Sequence, residues 1–599
     1  MSSFFLTNNL DSYKKSMEEM SGRGLEVSGT HEVDGKYFAS FKKRSIDNKN
    51  YLKIDNNNFI AVSGSFIYNG KVGLEALQIA FQYFNGSMDF IYHDSLFQGA
   101  LVICKDGKIN IAVDKYNVYW VYYYNINNNF YISSSLSSTV RSLDEKILDV
   151  NRYIEAIIQR GTIGNKMFYE GVYRLFGNEI ISIDEGGLDV NKVDHINGNN
   201  FSDLSVDSIV QSFSKLLLEK YGQIYKAFGN DIGIHLTGGF DSRLHLAVLL
   251  KLGCRPTILY AVGNNSLTSQ FNKDKDIVER LVKKFNLKVH YMDWSIDGIV
   301  DKEQTRRNVN KYGFNANENY CNDSWYKEYI KNTSNVKVIL DGHMGELLNI
   351  EGEDGIFGEI KPDKFNPDKI FEVYQGIFFN DFHWRSDNKR NAHIKYLKKE
   401  TNNIAKNIFK IPVDIKEIGM QYYQEYWHTR YRPADAHPTN LFNDFMYAYS
   451  PLGDAELQDF ALKIPFDMIT KRGLSIKLIE NMMPGLSKVE FFSRAGKIKI
   501  VNNKIIRIQG SSMYKLLKFI HKLTPRFLIS AYRYFKKMYI AKQPVTRNIQ
   551  REFYVKWLNN DKLLGGLFDF SKQKGSVRRL ATCAIYSDLV NSIGYDKKK

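Results

Sequence analysis

The sequence predicts an α+β layered domain at the N-terminus. An α/β domain on a doubly wound parallel sheet follows, with a helical extension at the C-terminus. Three observations carry this reading. Residues 57 to 140 are a succession of short β-branched and aromatic runs. From residue 206 onward apolar strands alternate with amphipathic helices, the pattern of a parallel sheet. Between the first of those strands and its helix lies a glycine-rich turn, Leu236-Thr-Gly-Gly-Phe-Asp-Ser-Arg243.

In chain order, Phe59 to Tyr68 reads as a strand and Leu74 to Phe84 as a helix with apolar residues at helical spacing. Gly99–Cys104 and Ile109–Val113 flank Lys105-Asp-Gly-Lys108, a hairpin with Asp-Gly in its turn. Tyr119–Tyr124 and Phe130–Ser134 read as further strands, and polar Glu185–Asn200 as a linker. Then come a helix (Val206–Phe228), a strand (Ile232–Leu236), the glycine turn and a helix (Ser242–Leu252). A strand (Thr257–Val262), a helix (Lys275–Phe285) and a strand (Lys288–Met292) continue the alternation. Val336–Leu340 is another strand, ending in Asp341-Gly-His-Met-Gly-Glu346, and the remainder to Lys488 reads as mostly helical. The domain boundaries expected are 1–190, 191–490 and 491–599.

Composition narrows the class. With 43% hydrophobic and 25% charged residues over 599 positions, the chain is ordinary globular material and not a disordered one. No run of 18 apolar residues is present, and Met-Ser-Ser-Phe-Phe lacks the basic start of a secretory signal. Cys104, Cys254, Cys321 and Cys583 are far apart and form no CxxC pair, which argues against a disulfide framework and fits a cytoplasmic protein. The net charge is +16, and its location is informative: Phe491 to Arg551 holds fifteen Lys or Arg and no Asp or Glu. The rest of the chain is nearly neutral, unlike a uniformly basic nucleic-acid binder.

The glycine turn is where chemistry enters. Glycines between a strand and a helix let the backbone approach an anion, and the helix start offers unpaired N–H donors. Thr237 and Ser242 add hydroxyl donors. Asp241 would repel phosphate unless a cation lay between, so it implies Mg²⁺. The plainer reading is a glycine-rich connection in which Asp241 is a local cap.

Here the residues resemble a family. Thr237-Gly-Gly-Phe-Asp-Ser242 is similar to the Ser-Gly-Gly-x-Asp-Ser loop of ATP pyrophosphatases, specifically the asparagine synthetase and β-lactam synthetase superfamily. Tyr260-Ala-Val-Gly263, the helix begun near Asp276, Asp341-Gly-His-Met-Gly-Glu-Leu-Leu348 and Ser450–Pro465 resemble its later motifs. Ser63–Asn69, Val113–Tyr124 and Gly171–Gly177 resemble the family's N-terminal glutaminase domain, of the Ntn-hydrolase type.

The resemblance implies ATP and Mg²⁺ as cofactors and a carboxylate activated as its adenylate, with an amine or ammonia forming the amide. It implies nucleotide contacts at Leu236, Thr237, Gly238, Gly239, Asp241, Ser242, Val262, Gly263 and Gly342, and Mg²⁺ at Asp241 and Glu346. His343 stands where relatives orient the substrate or hold a base, or it is a hydrogen-bonded loop histidine. Lys477 and Lys497 are candidates to stabilise developing charge, with Lys488 as the alternative. Arg430 and Arg432 would bind an acidic acceptor or form surface ion pairs.

The departures matter as much. Glutamine-dependent relatives use an N-terminal cysteine; this chain has Ser2, which lacks thiolate character near neutral pH. Ser63 replaces an Asn of the glutamine site, and Leu347 replaces an acidic neighbour of Glu346. The first domain is therefore expected to be a glutaminase relic, the alternative being Ser2 as a functional nucleophile.

In the basic segment, Lys515, Lys518 and Lys522 fall on one helical face with apolar residues opposite, which suits an anionic membrane surface. A helical hairpin docked on the catalytic domain is the alternative. The combined expectation is a cytoplasmic amide ligase, peripheral at the inner membrane face. It would amidate a small or lipid-linked carboxylate such as a uronic acid of surface polysaccharide. A lactam- or lasso-peptide-type cyclase, a non-catalytic pseudoenzyme and a tRNA-modifying enzyme are the competing classes, and a homodimer is left open.

Overall fold

The computed structural model describes residues 3–47, 49–159, 161–162, 164–177, 179–192, 201, 203–262, 274–293, 302–312, 335–342, 345–348, 382–407, 437–465, 468, 473–493, 496–501, 504–509, 545–572 and 577–596. The N-terminal strands are β1 (Phe4–Thr7), β2 (Val27–Val33), β3 (Lys36–Phe41), β4 (Tyr51–Lys53), β5 (Phe59–Tyr68) and β6 (Ser95–Lys105). They continue with β7 (Lys108–Val113), β8 (Tyr122–Ile126), β9 (Asn129–Ser133), β10 (Tyr173–Arg174), β11 (Glu179–Asp184) and β12 (Gly187–Lys192). They form two six-stranded sheets, in the orders β10-β8-β9-β1-β3-β2 and β12-β11-β7-β6-β5-β4. The sheets pack face to face on Phe4, Leu6, Phe38 and Ile132 from one and Phe59, Ala61, Val102 and Ile111 from the other. Helix α1 (Gly73–Tyr83) covers the outer face of the second sheet with Ala76, Leu77 and Ala80. The β6–β7 turn has Asp106 and Gly107 at φ of 53° and 79°, as a two-residue hairpin turn with matching twist requires.

The second unit is a five-stranded parallel sheet: β13 (Ile232–His235), β14 (Thr257–Val262), β15 (Val289–Asp293), β16 (Val338–Leu340) and β17 (Tyr447–Tyr449). Its order is β15-β14-β13-β16-β17. Around it lie α2 (Val206–Phe228), α3 (Asp241–Lys251), α4 (Lys275–Phe285), α5 (His437–Phe445), α6 (Ala455–Leu462) and α7 (Gly473–Met482). The strand order reverses between β13 and β16. In an open parallel sheet that switch point leaves a crevice at the strands' C-terminal ends, the usual place for a ligand. Asp454 starts α6: its carboxylate accepts from the Glu456 and Leu457 amides and the Tyr449 hydroxyl, and the buried Lys220 ammonium lies 3.5 Å away.

The two units are joined by specific polar contacts. Gln98 on β6 exchanges two hydrogen bonds with the Ser450 backbone, at 2.7 and 2.8 Å. Arg44 pairs with Asp444 on α5 at 2.8 Å, and the Ser65 hydroxyl donates to Asn443 and to the Ala448 carbonyl.

Several expectations need correction. The first 56 residues, unread in the sequence, supply β1 to β4. Tyr119, Trp120 and Val121 precede β8 as a connection, held because the buried Asp114 carboxylate accepts the Val118 and Tyr119 amides. The expected linker begins as strand β12, paired with β11 along its whole length; residues 193–200 lie outside the described ones. The stretch expected to be helical contains β17, wedged between β16 and the N-terminal unit.

The basic segment opens as an antiparallel sheet, β18 (Phe491–Ser493), β19 (Gly496–Val501) and β20 (Lys504–Gln509), and not as a helix. Lys515, Lys518 and Lys522 lie outside the described residues. Helices α8 (Val545–Asn559) and α9 (Val577–Ile593) do not extend away from the molecule. Helix α9 packs against α8 and against the helices Leu136–Arg141 and Val150–Gln159 on the outer side of the first sheet, where Trp557, Leu558, Leu580 and Ile585 join one core with Phe5, Tyr122, Tyr124 and Tyr131. The N-terminal unit is thus layered helix–sheet–sheet–helix, its last layer begun by the helices Leu10–Gly22, Leu136–Arg141 and Val150–Gln159 and extended by α8 and α9 from the far end of the chain. Among the described residues no helix is long and apolar enough to cross a membrane.

Candidate active site

The glycine turn emerges from β13 at the switch point. Leu236 is buried beneath it. The Thr237 amide donates to the Ser242 hydroxyl at 3.0 Å, the two hydroxyls are 3.0 Å apart, and the Gly239 amide donates to Thr237 Oγ1 at 3.2 Å. These bonds close a tight loop whose next residue, Asp241, opens α3.

The segment after β16 meets this loop from the other side. A Cβ built on Gly345 would fall 2.4 Å from Asp241 Cγ and 3.0 Å from Leu452 Cδ1, so the Asp241 carboxylate lies directly on the Gly345 backbone. Gly345 begins the 3₁₀ turn Gly345–Leu348. Gly342 faces the Ser242 amide across an ordinary gap of 3.7 Å measured from the same kind of built Cβ. Asp341 is held back from the loop: its carboxylate accepts from the Thr439 hydroxyl at 3.0 Å, and its amide donates to the Tyr449 carbonyl.

Most expected nucleotide residues therefore converge. Leu236, Thr237, Gly238, Gly239, Asp241, Ser242 and Gly342 line one edge, and Val262 ends the neighbouring strand. Glu346 lies in the turn that begins at Gly345, and its side chain lies outside the described ones. Gly263, His343, Arg430, Arg432 and Ser2 are likewise outside the described residues. Lys477 is 44% exposed on α7, with its ammonium 2.8 Å from Asp207 at the start of α2. Lys488 is exposed. Lys497 pairs in register with Phe492, whose amide donates to the Gly238 carbonyl at 2.8 Å, so its backbone lies one strand from the loop.

Among the described residues no three His, Cys, Asp or Glu side chains cluster as a metal site. Mg²⁺ does not need such a cage, because it is commonly held by one or two carboxylates plus substrate phosphates. Asp241, set against the turn that carries Glu346, fits that donor set.

Four residues missed in the sequence complete the site. Asp274 accepts the Gly238 amide and the Tyr260 hydroxyl, the latter at 2.8 Å. Burial raises its pKa, opposed by those two bonds. Its sequence signal is an Asp just before an amphipathic helix, two residues ahead of Asp276. Arg243 is fully buried, its guanidinium 3.8 Å from the Phe491 ring centre. Burial pushes it down to about 9. Tyr221 and His245 form a buried hydrogen-bonded pair below Asp241.

Burial pushes His245 from 6.5 down to about 4, so it is neutral at pH 7. Its unfolded form binds the proton more readily. Stability is therefore unaffected above pH 6.5 and falls as pH drops from 6.5 toward about 4. The loss levels off at roughly 3 kcal/mol below about pH 4, where both states are protonated. Thermal melts between neutral and acid pH should show a shallower drop for His245→Gln than for the wild type. Parallel curves would refute this assignment.

Ser63, expected from the resemblance to stand where glutamine-dependent relatives carry an Asn, is buried. Ser63 Oγ lies 2.7 Å from the hydroxyl of Tyr119, which is fully buried and pushed up to about 12 by that burial. Gly64, at φ +102°, crosses so near β6 that a Cβ would sit 2.5 Å from the Gln98 carbonyl.

No known family profile matches the chain, and no curated protein does. Among solved structures it is similar to glutamine phosphoribosylpyrophosphate amidotransferase from B. subtilis, complexed with ADP and GMP, at 11% identity and a TM-score of 0.22, over 48% of this chain and 65% of that one. The chain thus spans less than two thirds of that protein. A structure of the allosteric regulatory enzyme of purine biosynthesis matches at 12% identity and a TM-score of 0.22, over 51% and 77% of the two chains. NMN synthetase from Francisella tularensis matches at 14% identity and a TM-score of 0.18, over 39% of this chain and 97% of that one. The fold is defined by its sheet orders and the site by its own geometry.

Proposed function

We propose that this chain is an ATP-dependent amide-forming ligase that activates a carboxylate as its adenylate and passes it to ammonia or an amine without hydrolysing glutamine. The observation that carries it is the convergence of the glycine loop and the Gly345 turn on Asp241 at the sheet's switch point. Loop amides, the start of α3 and the Thr237 and Ser242 hydroxyls suit a pyrophosphate. Asp241 and Glu346 would hold Mg²⁺, which would neutralise charge on the phosphates. The buried Ser63–Tyr119 hydrogen bond, where the resemblance places a glutamine-binding Asn, supports a nitrogen source other than glutamine. The acceptor class suggested by the resemblance is a uronic acid of surface polysaccharide, free or lipid-linked, used at the inner membrane face.

The test is ATP cleavage by the whole protein with Mg²⁺ and ammonium across uronic acids, sugar nucleotides and amino acids. AMP and pyrophosphate should form with one carboxylate and vanish in Asp241→Ala. Nucleotide binding without turnover on any carboxylate, including lipid-linked ones, would count against a ligase.

A further inference from the structure

We infer that Asp274 and Arg243 are positioning residues of the glycine loop, fixing both backbone polar groups of Gly238 and so tying nucleotide use to the hairpin that opens the basic segment. The inference rests on the ligase reading for its consequence, but its geometry is independent of it. The Gly238 amide donates to the Asp274 carboxylate. The Gly238 carbonyl accepts from the Phe492 amide at 2.8 Å and from Arg243 at 3.4 Å. Two of these partners lie outside the Leu236–Arg243 stretch, at the start of α4 and on β18, and the third, Arg243, reaches back from the first turn of α3.

Asp274 stands at the N-cap position of α4 yet makes no capping bond with its side chain. An Asp there ordinarily accepts from its own helix. This one turns across to Gly238 and Tyr260, so a local preference is given up for a long-range contact, as happens at functional sites. Arg243 donates to the carbonyls of Val489 at 2.7 Å, Glu490 at 2.8 Å and Leu486 at 3.3 Å as well as to Gly238. A planar fork can serve several carbonyls at once while stacking on Phe491; an ammonium cannot. The hairpin is held in addition by the Phe240–Phe491 stack, at 4.5 Å, and by Arg280 on Glu490 at 2.6 Å. There is no slack, because a Cβ on Gly238 would meet Phe492 Cβ at 2.7 Å and Asp274 Cβ at 2.8 Å. Displacing β18 therefore displaces the loop.

The experiment uses full-length Asp274→Asn, Asp274→Ala and Arg243→Lys. It reads melting temperature, hydrogen exchange over residues 236–243, MgATP binding, and the KM and kcat of pyrophosphate release. Asn can accept the Gly238 amide and donate to Tyr260, so Asp274→Asn should stay close to wild type. Asp274→Ala and Arg243→Lys should speed exchange in the loop, weaken MgATP and lower kcat/KM by about 100-fold, the scale of a misplaced reacting group. Equal losses in Asp274→Asn and Asp274→Ala would overturn the positioning role, as would losses that merely follow melting temperature. The two readings separate cleanly. A wild type that binds MgATP but never releases pyrophosphate, with loop exchange still raised in Asp274→Ala, sinks the ligase and leaves the positioning role standing. Turnover undiminished in Asp274→Ala does the reverse.

Discussion

Gly345→Ala should reduce ATP cleavage by about 100-fold while the protein stays folded. The new Cβ would be placed 2.4 Å from Asp241 Cγ and Oδ1 and 3.0 Å from Leu452 Cδ1. No real Cβ tolerates such a distance, so either the turn or the carboxylate must move. Asp241 is anchored at the start of α3 and Leu452 is buried, so the adjustment falls on the carboxylate and on the turn that carries Glu346. These are the groups proposed to share Mg²⁺. The control is Gly22→Ala in the N-terminal unit, whose Cβ would find nothing within 4 Å and should leave the rate near wild type. The measurement is pyrophosphate release at saturating Mg²⁺, with circular dichroism to verify folding. Equal rates in the two variants would mean that the Asp241–Gly345 contact is not part of the reacting geometry.

The second large effect concerns stability. Ending the chain before residue 545 should leave an N-terminal unit that aggregates, because it strips Trp557, Leu558, Leu580 and Ile585 from the core they share with Leu136, Ile157 and Phe168. A milder form of the test is Leu580→Ala. Leu580 is fully buried in that layer, and the substitution should cost about 2–5 kcal/mol as the lost side chain leaves a cavity. Urea unfolding followed by tyrosine and tryptophan fluorescence would read it. A truncated chain that remained soluble and folded would show that the helical layer is dispensable, contrary to its place in the core.

Much of the architecture was legible in the sequence, for a physical reason. Periods of 3.6 and 2 are local, so α2 and α4 begin and end where the pattern placed them, and β14 does too. The Asp-Gly turn between β6 and β7 needs left-handed backbone that those two residues supply. The glycine turn could be read because its chemistry is carried by consecutive residues. The start of the basic segment departs from the helical extension expected there, because β18 to β20, three to six residues each, pair as an antiparallel sheet, while the lysine face at 515, 518 and 522 lies outside the described residues.

What the sequence by itself determined is the set of local conformations and the presence of an anion-binding turn, because both follow from neighbours along the chain. Only the tertiary structure decided which strand adds to β16, which helices close over the first sheet, and which side chains hold Gly238. Tyr447–Tyr449 becomes a strand because β16 offers an unpaired edge. Helices α8 and α9 find their partners more than 400 residues away, as the joint core of Leu558 and Leu580 with Phe5 and Tyr131 requires. Asp274 gives up capping its own helix because a glycine amide 36 positions earlier is brought within reach. Pairings of that separation are selected by what the folded chain buries together, and no short stretch of residues records them.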